Sequence, residues 1–229
     1  MTARLIRSEE IAPEVRHFLF EVPQVSELSF EPGQFVSFTG VQHGKPVTRA
    51  YSLASAPSGN QFELCLNRVK EGLLSPWLFE LQPGGEIAMQ GPMGYFTPRN
   101  PFRDSVFVAT GTGIAPFRSY LLSPAILNSP ARITLLFGAR HESGILYREM
   151  FERLGEHRPG FRFLPTLTRP EPGWGGRTGR VQAHLEEAIA GRRDLDIYIC
   201  GLKAMVDEVR ALLKQSGFDR KQIRTEKFD

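Results

Sequence analysis

The hydrophobic pattern of this chain changes its period near residue 100, and the change predicts two structural units. Before that point apolar and polar side chains alternate, so that Phe62, Leu64 and Leu66 face one side of a strand over 61–67. After it, short apolar runs alternate with segments of helical pattern. The first pattern is typical of an antiparallel barrel, and the second is typical of a parallel, doubly wound α/β sheet.

The same patterns predict individual elements. In the first unit, strands are expected at 16–22, 34–38, 61–67 and 86–89, and a helix at 73–81. In the second, strands are expected at 105–109, 133–137, 161–167, 196–200 and 223–226, and helices directly after 111–113 and at 147–154, 181–190 and 205–215. Residues 97–104 carry two prolines and mixed charge, as a linker does. The expected domains are therefore 1–100 and 101–229.

Composition excludes several classes of protein. Of the 229 residues, 41% are hydrophobic and 23% are charged, which is ordinary for a soluble globular chain and not for a disordered one. The net charge of +3 comes without a long basic run, so we expect no nucleic-acid partner. The first residues lack the apolar core of a signal peptide, and no uncharged stretch is long enough to span a bilayer. We expect a cytoplasmic protein with no membrane span.

Metal chemistry has no support in the sequence. The two cysteines, Cys65 and Cys200, are too few for an iron–sulfur cluster or a Cys-rich zinc site, and such a low count suits a reducing compartment. The histidines show no His-x-x-x-His spacing. They are His17, His43, His141, His157 and His184. We expect no bound metal.

Two short motifs in the first unit point to a phosphate-bearing, planar ligand. In Arg49-Ala-Tyr-Ser52, strand alternation places Arg49 and Tyr51 on one face and Ser52 on the other. An arginine can bind a phosphate while a neighbouring ring stacks on a planar group. The segment 72–75, Gly-x-x-Ser, opens a predicted helix and offers backbone N–H groups and a hydroxyl to an anion. Without the second motif, the first would indicate only an edge-strand arginine beside a half-buried tyrosine.

Two motifs in the second unit point to a dinucleotide. In Thr110-Gly-Thr-Gly-Ile-Ala-Pro116, Gly111 and Gly113 allow close backbone approach at a helix N-terminus, as a pyrophosphate requires. Pro116 replaces the third glycine of the usual fingerprint, so a tight turn is the alternative interpretation. Cys200-Gly201 ends a predicted strand, at the edge where open α/β sheets bind ligands. The alternative for Cys200 is a small buried hydrophobic residue.

With these motifs in this order, the chain resembles the ferredoxin–NADP reductase family over nearly its whole length. The resemblance implies a six-stranded antiparallel Greek-key flavin barrel followed by a doubly wound α/β domain that binds pyridine nucleotide. It implies that Arg49 binds the FAD pyrophosphate, that Tyr51 stacks on the isoalloxazine, and that Ser52 approaches flavin N5. The choice of FAD over FMN rests on the resemblance alone.

The resemblance implies three sets of site residues. The set assigned to FAD is Arg49, Ala50, Tyr51, Ser52, Asn67, Val69, Lys70, Gly72, Leu73, Leu74, Ser75 and Phe228. The set assigned to NADP(H) is Thr110, Gly111, Thr112, Gly113, Pro116, Arg140, Arg169, Cys200, Gly201 and Met205. The catalytic candidates are Ser52, Cys200 and Glu226. Cys200 is placed beside nicotinamide C4 and needs no thiolate, and Glu226 relays protons or helps to bind the nicotinamide.

The C-terminus also follows the family. Plant-type members end in Glu-x-aromatic, and the aromatic ring covers the flavin face that nicotinamide must occupy. Glu226 and Phe228 correspond to that pair, with Phe in place of Tyr and one further residue, Asp229. A frayed tail with a surface phenylalanine is the alternative. If Phe228 covers the ring, it moves before hydride transfer.

The choice between NADPH and NADH depends on arginines. The 2′-phosphate of NADPH favours guanidinium groups, and Arg140 and Arg169 both follow strands at the ligand-binding edge. Arg177 and Arg180 add charge nearby, although a solvated surface arginine is the alternative for each of them. These residues favour NADPH, while the segment 174–179 also occurs in NADH-using relatives and leaves that cofactor open.

The resemblance implies an enzyme that moves hydride from NADPH to bound FAD and then single electrons to a separate ferredoxin or flavodoxin. Such carriers are acidic, and Arg99 and Arg103 are candidates for steering one unless they belong to a solvated linker. One alternative is a reductase of an oxygenase, of free flavin or of ferric chelates that uses NADH. A second is a flavin- and nucleotide-binding subunit without turnover, although the presence of Ser52, Cys200 and Glu226 together disfavours it.

Overall fold

The structure is a computed structural model that describes residues 1–42 and 44–228, and its contacts divide the chain into two units. The barrel unit comprises Met1–Pro98 and Ala115–Pro124. The sheet unit comprises Arg99–Ile114 and the chain from Ala125 onward. His43 and Asp229, which the sequence predictions mention, lie outside the described residues.

The barrel unit is built from six antiparallel strands and one short helix. Its elements are β1 (Thr2–Ala12), β2 (Val15–Glu21), β3 (Phe35–Gln42), β4 (Lys45–Ser52), β5 (Gln61–Asn67), α1 (Ser75–Glu80) and β6 (Glu86–Met93). The strands lie in the order β4-β3-β6-β1-β2-β5. The two ends of that order meet through a bridge between Leu53 and Leu64 and through the Ala54 N–H, which donates to the Glu63 carbonyl at 2.7 Å. The expected six-stranded antiparallel barrel is confirmed.

Aromatic side chains fill the barrel interior. The ring of Phe20 lies with its centroid 5.1 Å from that of Phe38 and 5.6 Å from that of Phe62, and none of the three is exposed. Large rings of this kind bury most of the apolar area in a small core. The strand predicted at 61–67 is confirmed as β5. Cys65 on its other face is also buried, because that face of the strand is covered too.

The sheet unit holds six parallel strands. Their bounds and those of the helices from residue 105 onward are β7 (Ser105–Thr110), α2 (Ala115–Leu122), α3 (Pro124–Leu127), β8 (Ile133–Ala139), α4 (Arg148–His157), β9 (Phe161–Leu167), β10 (Arg177–Thr178), α5 (Leu185–Ile189), β11 (Asp196–Leu202), α6 (Lys203–Gln215) and β12 (Ile223–Phe228). The strand order is β10-β9-β8-β7-β11-β12. The chain therefore leaves β7 in one direction and returns to β11 on the other side. Ligands of such sheets bind outside the carboxyl ends of the strands at this switch point.

Most predicted elements are present, and the differences have local causes. Strand β1 is not among the predicted ones, because its second half carries charged residues such as Glu9 and Glu10 in place of regular apolar alternation. The predicted helix over 181–190 begins as a 3-10 turn at Val181–His184 before α5. The helix predicted at 73–81 starts later, at Ser75. No helix in the described part of the chain is long and apolar enough to cross a membrane.

Helix α2 follows β7 in sequence but belongs by its contacts to the barrel unit. Arg118 donates to the Ala54 carbonyl at 2.6 Å, and the Ser119 hydroxyl donates to the Ser55 carbonyl at 2.5 Å. The Tyr120 hydroxyl donates to the Phe96 carbonyl. The sequence pattern predicts that everything after about residue 100 belongs to the second unit, but the contacts of this one helix are with the first.

A carboxylate on β5 holds α2 to the barrel. Arg118 forms an ion pair with Glu63, and the His17 Nε2 atom lies 3.6 Å from a carboxylate oxygen of Glu63. Burial alone would raise the pKa of Glu63, but the hydrogen bond from His17 and the charge and hydrogen bond of Arg118 lower it to about 2.

The lowered pKa of Glu63 predicts a pH dependence of stability. Because this folded-state pKa lies below the ordinary value of 4.5, the stabilisation is complete above that pH and is lost as the pH falls towards 2. We expect Glu63→Gln to lower the free energy of unfolding by about 2 kcal/mol at neutral pH and to flatten its fall in acid. Urea unfolding over a pH series measures both. Glu9→Gln, on the exposed part of β1, is the control, and a slope in Glu63→Gln as steep as in the wild type contradicts the assignment.

Candidate functional site

The end of β4 presents an exposed guanidinium beside a half-buried ring. In the ladder with β3, Arg49 lies opposite Phe38 and Tyr51 lies opposite Val36, so both share a face with core residues. The Tyr51 ring centroid is 5.7 Å from that of Phe38. Arg49 is exposed, and its guanidinium donates to the Thr48 carbonyl at 2.8 Å. The shared face predicted for Arg49 and Tyr51 is present.

Burial sets the chemistry of this strand end. It raises the pKa of Tyr51 to about 12, against a smaller opposing effect of the Arg49 charge. The phenol is therefore uncharged at any physiological pH, as a ring that stacks on a planar cofactor should be. Ser52 lies opposite Phe35 on the other face and is buried.

The segment after β5 forms a tight turn around a serine hydroxyl. The Val69 N–H donates to Ser75 Oγ at 2.9 Å, and the Gly72 N–H donates to the Val69 carbonyl at 2.7 Å. A hydroxyl that accepts one hydrogen bond keeps its own proton to donate. Lys70 and Asn67 are exposed on the same segment. The turn therefore offers a cation and a hydroxyl to a phosphate.

Two residues of this segment serve packing. A Cβ on Gly72 would lie 2.9 Å from the Val69 carbonyl oxygen, so the turn requires glycine there. Leu74 is buried, and a Cβ at Gly40 of β3 would lie 2.8 Å from its Cδ1 atom. Only the backbone of Leu74 is available to a ligand, whereas the side chain of Leu73 is exposed. Together, Arg49, Tyr51 and this turn fit a planar cofactor that carries a diphosphate.

The end of β7 and the 3-10 turn that follows it, Gly111–Ile114, approach β11 too closely for side chains. A Cβ on Gly113 would lie 2.4 Å from the Cys200 carbonyl oxygen. Gly201 has a φ of +146°, and a Cβ there would lie 2.6 Å from Thr110 Oγ1. A bare Gly-x-Gly motif is compatible with a simple tight turn, but here two backbones meet at the switch point, where a dinucleotide needs close approach.

Thr110 provides a buried polar atom, Oγ1, that has no hydrogen-bond partner among the described residues, 1–42 and 44–228. Buried hydroxyls usually find a partner, so an unpaired one at a switch point fits a polar group of a bound ligand. Thr112 is half-buried beside it. Pro116 and Met205 are buried, and Met205 lies directly under Gly201.

The central strand places Cys200 next to an acid. Cys200 pairs with Ala109 of β7 on one side and with Glu226 of β12 on the other, and it is fully buried. Burial, and then the charge of Glu226, raise the pKa of the thiol well above its ordinary value. Cys200 is therefore a neutral, fully buried thiol and not an activated nucleophile.

The C-terminal strand reaches the same edge. β12 continues through Phe228, which lies opposite Leu202 in the parallel ladder. Leu202 is 63% exposed, and Phe228 is half-buried. Phe228 is thus part of the sheet and is not a frayed end.

Two arginines at the carboxyl edge keep their charge available. The Thr168 N–H donates to the Ala139 carbonyl at 3.0 Å, and the Arg169 N–H donates to the Arg140 carbonyl at 2.8 Å. These bonds extend the pairing of β8 and β9 and bring the backbones of Arg140 and Arg169 together. Both side chains are exposed, and neither forms an ion pair or side-chain hydrogen bond with another described residue.

The other arginines weighed for phosphate binding have acidic partners. Arg177 donates to Glu187 at 2.7 Å, and this hydrogen bond raises the pKa of Arg177. The Arg180 guanidinium lies 4.0 Å from Glu208. Of the four arginines, Arg140 and Arg169 therefore have the most positive charge available for a ligand.

Arg99 and Arg103 have a role that differs from the expected one. Arg103 binds both carboxylate oxygens of Asp196, at 2.8 and 3.3 Å, and Arg99 Nε lies 3.4 Å from the same group. The Asp196 side chain is only 2% exposed. The two arginines compensate a buried charge at the start of β11, so neither is simply a solvated linker side chain, and their role in steering a carrier stays a prediction.

One connection at the nucleotide edge has no sequence signal. A carboxylate oxygen of Glu171 accepts from the Glu142 N–H at 3.2 Å, and another lies 3.1 Å from His141 Nδ1. Glu171 thereby ties the segment after β9 to the segment after β8. Neither the spacing of Glu171 nor its residue type indicates this contact in the sequence. Across 1–42 and 44–228 there is no group of three or more His, Cys, Asp or Glu side chains that could hold a metal ion.

Comparison with known families defines the class of this protein. An oxidoreductase FAD-binding domain matches residues 2–97, and an oxidoreductase NAD-binding domain matches residues 107–211. The chain is therefore an enzyme of the flavin- and pyridine-nucleotide-dependent oxidoreductases, and FAD as its flavin is confirmed.

Comparison with individual relatives identifies the family within this class. The chain is 40% identical over 237 positions to ferredoxin–NADP reductase B of Sorangium cellulosum (strain So ce56), with 99% of this chain and 97% of that protein covered. It belongs to the ferredoxin–NADP reductase family, as the motifs predict. It is 32% identical to a component of the Na(+)-translocating NADH-quinone reductase of Methylococcus capsulatus, with 80% of this chain and 49% of that component covered. It thus spans only about half of the length of that relative.

A solved structure agrees with the fold. A cytochrome P450 reductase from Amycolatopsis matches with a TM-score of 0.89 at 28% identity, covering 99% of this chain and 69% of that one. The barrel followed by a doubly wound nucleotide-binding domain is thereby confirmed.

The contact at Gly113 generates a prediction. Gly113→Ala places a methyl group against the Cys200 carbonyl, so the 3-10 turn after β7 must move away from β11. We expect nucleotide affinity to fall about tenfold or more and stability to fall by about 1–3 kcal/mol. Calorimetric titration with NADP+ and urea unfolding measure these effects. Gly155→Ala in α4, where a Cβ meets nothing within 4 Å, is the control. Unchanged affinity in Gly113→Ala would place the nucleotide elsewhere.

Proposed function

We propose that this protein transfers hydride from NADPH to bound FAD and then passes single electrons to a separate acidic carrier, a ferredoxin or a flavodoxin. The NADPH assignment depends on one observation, the exposed pair Arg140 and Arg169 at the carboxyl edge of the sheet. The family supplies the general reaction. The particular nucleotide and carrier are inferred from the side chains.

The barrel unit supplies the flavin contacts in this proposal. Bound FAD provides the chemistry, because it accepts a hydride at N5 and releases electrons one at a time. Arg49 binds the diphosphate together with the turn at Gly72 and Ser75. Tyr51 supplies an uncharged ring for stacking. The Ser52 hydroxyl donates a hydrogen bond to flavin N5 or accepts one from it, according to whether N5 is protonated.

The sheet unit positions the nucleotide. The turn from Thr110 to Gly113 offers backbone N–H groups to the pyrophosphate, and the buried Thr110 hydroxyl binds a polar group. The neutral Cys200 thiol lies beside the nicotinamide, and Glu226 holds it or relays a proton. Binding energy at the phosphates, far from the reacting carbon, thereby orients the hydride donor.

The nucleotide preference follows from charge. A guanidinium–phosphate contact is a charge-assisted hydrogen bond, often bidentate, which NADH cannot make at the 2′ position. One similar relative has NADP in its name and another has NADH, so the relatives do not decide between the two nucleotides. The proposed preference for NADPH therefore rests on Arg140 and Arg169.

The proposed carrier is acidic and the proposed location is the cytoplasm. The net charge of +3 favours an acidic partner over a basic one. Arg99 and Arg103 pair with Asp196 and are partly exposed, so two cations face one carboxylate at this end of the sheet. We assign residues 1–100 to FAD binding and 101–229 to nucleotide binding, with α2 linked to the barrel by its contacts.

A second candidate is the reductase component that serves a separate ferredoxin of an oxygenase. Its support is the 28% identity to the P450 reductase from Amycolatopsis over nearly this whole chain. It differs from the first candidate in its physiological acceptor. Steady-state rates with ferredoxin, flavodoxin, free flavin and ferric chelates separate the candidates.

The arginine pair predicts a selective loss. Arg140→Ala and Arg169→Ala remove charged partners of the 2′-phosphate, so each should raise the KM for NADPH about tenfold and leave that for NADH within about twofold. Arg153→Ala, an exposed arginine of α4, is the matched control. Equal losses with both nucleotides would assign the two arginines to a shared part of the ligand and overturn the NADPH assignment.

Anaerobic titration of the purified yellow protein tests the first half-reaction. We expect NADPH to bleach the flavin absorbance faster than NADH does, and Ser52→Ala to slow bleaching at least about tenfold without loss of flavin. Equal rates or a preference for NADH would remove the NADPH assignment but keep the enzyme. Bound flavin that neither nucleotide bleaches would support a binding protein without turnover.

A further inference from the structure

A cavity lies at the amino ends of the strands of the sheet unit, at the edge opposite the nucleotide edge. Its walls come from the segments that precede β7, β8 and β11, and its volume is about 340 Å3. Such a volume falls at the lower end of the range of small-molecule sites, roughly 300–1,000 Å3. The side chains that line it include Phe102, Arg103, Asp104, Ala131, Arg192 and Asp194.

Arg103 keeps part of its guanidinium free in this cavity. Its Nε and Nη2 atoms donate to the two carboxylate oxygens of Asp196, at 3.3 and 2.8 Å. Its Nη1 atom makes no hydrogen bond to any residue in 1–42 or 44–228, and the side chain is 46% exposed. Because a guanidinium is planar, Nη1 and the second hydrogen of Nη2 form another pair of parallel N–H donors. Two parallel donors match the two oxygens of a carboxylate.

A second arginine adds positive charge behind one wall. Arg158 is almost completely buried, and its Nη2 atom donates to the carbonyls of Ala131 at 2.9 Å and Ser129 at 3.0 Å. Its Nη1 atom is buried and has no hydrogen-bond partner among the described residues. Burial lowers the pKa of Arg158, and no nearby acid opposes that effect, yet a guanidinium stays charged at neutral pH. The wall at Ala131 is therefore backed by a cation without a counter-ion in the described part of the chain.

The wall from the segment before β11 limits how much negative charge a ligand can carry. Arg192 donates to Asp104 at 2.5 Å and to both carboxylate oxygens of Asp194, at 2.9 and 2.8 Å. Two carboxylates thus share one guanidinium there, and Asp194 is exposed. They repel a second negative charge, so the cavity favours a ligand with one.

The cavity also has an apolar part. The Phe102 ring is half-buried, with its centroid 6.3 Å from that of Phe107, and Ala131 is buried. Contact with a half-buried ring removes further apolar surface from water, which favours a ligand with an apolar body. A small inorganic anion would leave this surface exposed.

We propose that this cavity binds a small organic monocarboxylate. Arg103 holds the carboxylate through its second pair of donors, Arg158 adds attraction from behind the wall, and the apolar body of the ligand packs on Phe102 and Ala131. The site goes beyond the proposed function and does not depend on it. None of its residues belongs to the sets assigned to FAD or to the nucleotide.

The test is nuclear magnetic resonance titration of the FAD-loaded protein with benzoate, benzamide and inorganic phosphate. Benzamide has the ring without the charge, and phosphate has charge without the ring. We expect benzoate to shift the backbone amides of 102–104 and 131–132 and to bind at least about tenfold more tightly than either comparison ligand. Benzoate that binds no more tightly than benzamide or phosphate, or that leaves these amides unshifted, overturns the proposal.

Two variants should change benzoate affinity in opposite directions. Arg103→Lys keeps a charge beside Asp196 but removes the second pair of donors, so affinity should fall at least about fivefold. Asp194→Asn removes an exposed negative charge from the cavity, so affinity should rise about twofold, a gain that partial unfolding cannot produce. Arg153→Lys and Glu149→Gln make the same kinds of exchange on the exposed face of α4 and should change nothing.

The nucleotide edge provides the control for location, because Arg140 and Arg169 are exposed cations there. Arg140→Ala and Arg169→Ala should bind benzoate as the wild type does. Benzoate binding that is lost in these variants and retained in Arg103→Lys would place the anion at the nucleotide edge. That result overturns the proposed site and leaves the proposed function standing.

Discussion

Strand β11 can lie beside β7 as it does only because two glycines leave room at their carboxyl ends. Gly113 faces the carbonyl of Cys200, and Gly201 faces the hydroxyl of Thr110, both at distances that a Cβ would not tolerate. The other features of the nucleotide edge depend on this approach. Cys200 pairs there with Ala109 of β7 and is fully buried, and Thr110 Oγ1 has no hydrogen-bond partner in the described part of the chain.

The amino end of the same strand is held by charge. Asp196 is almost completely buried, and Arg99 and Arg103 compensate it. A buried carboxylate is tolerated when it is paired and hydrogen-bonded, and it then fixes the strand that bears it. β11 is thus fixed at one end by an ion cluster and shaped at the other by glycine. The arginines differ in the same way, because Arg99 and Arg103 have an acidic partner, whereas Arg140 and Arg169 are exposed and have none among the described residues.

The fold could be predicted largely from the sequence because it depends on periodicity and on short motifs. Alternation over 61–67 and the apolar runs from 105 onward are local signals of strands, and the glycine motif marks the switch point. Strand β1 was not predictable in this way, since the charged residues in its second half, Glu9 among them, interrupt the alternation. The parts of the site that escaped prediction depend on partners distant in sequence. Nothing local distinguishes Arg103, which meets Asp196, from Arg169, which meets no acid among the described residues. Glu171 acts through the backbone of Glu142, which no motif encodes. Side-chain pairing across elements is decided by topology, so it becomes visible only when the strands are in register.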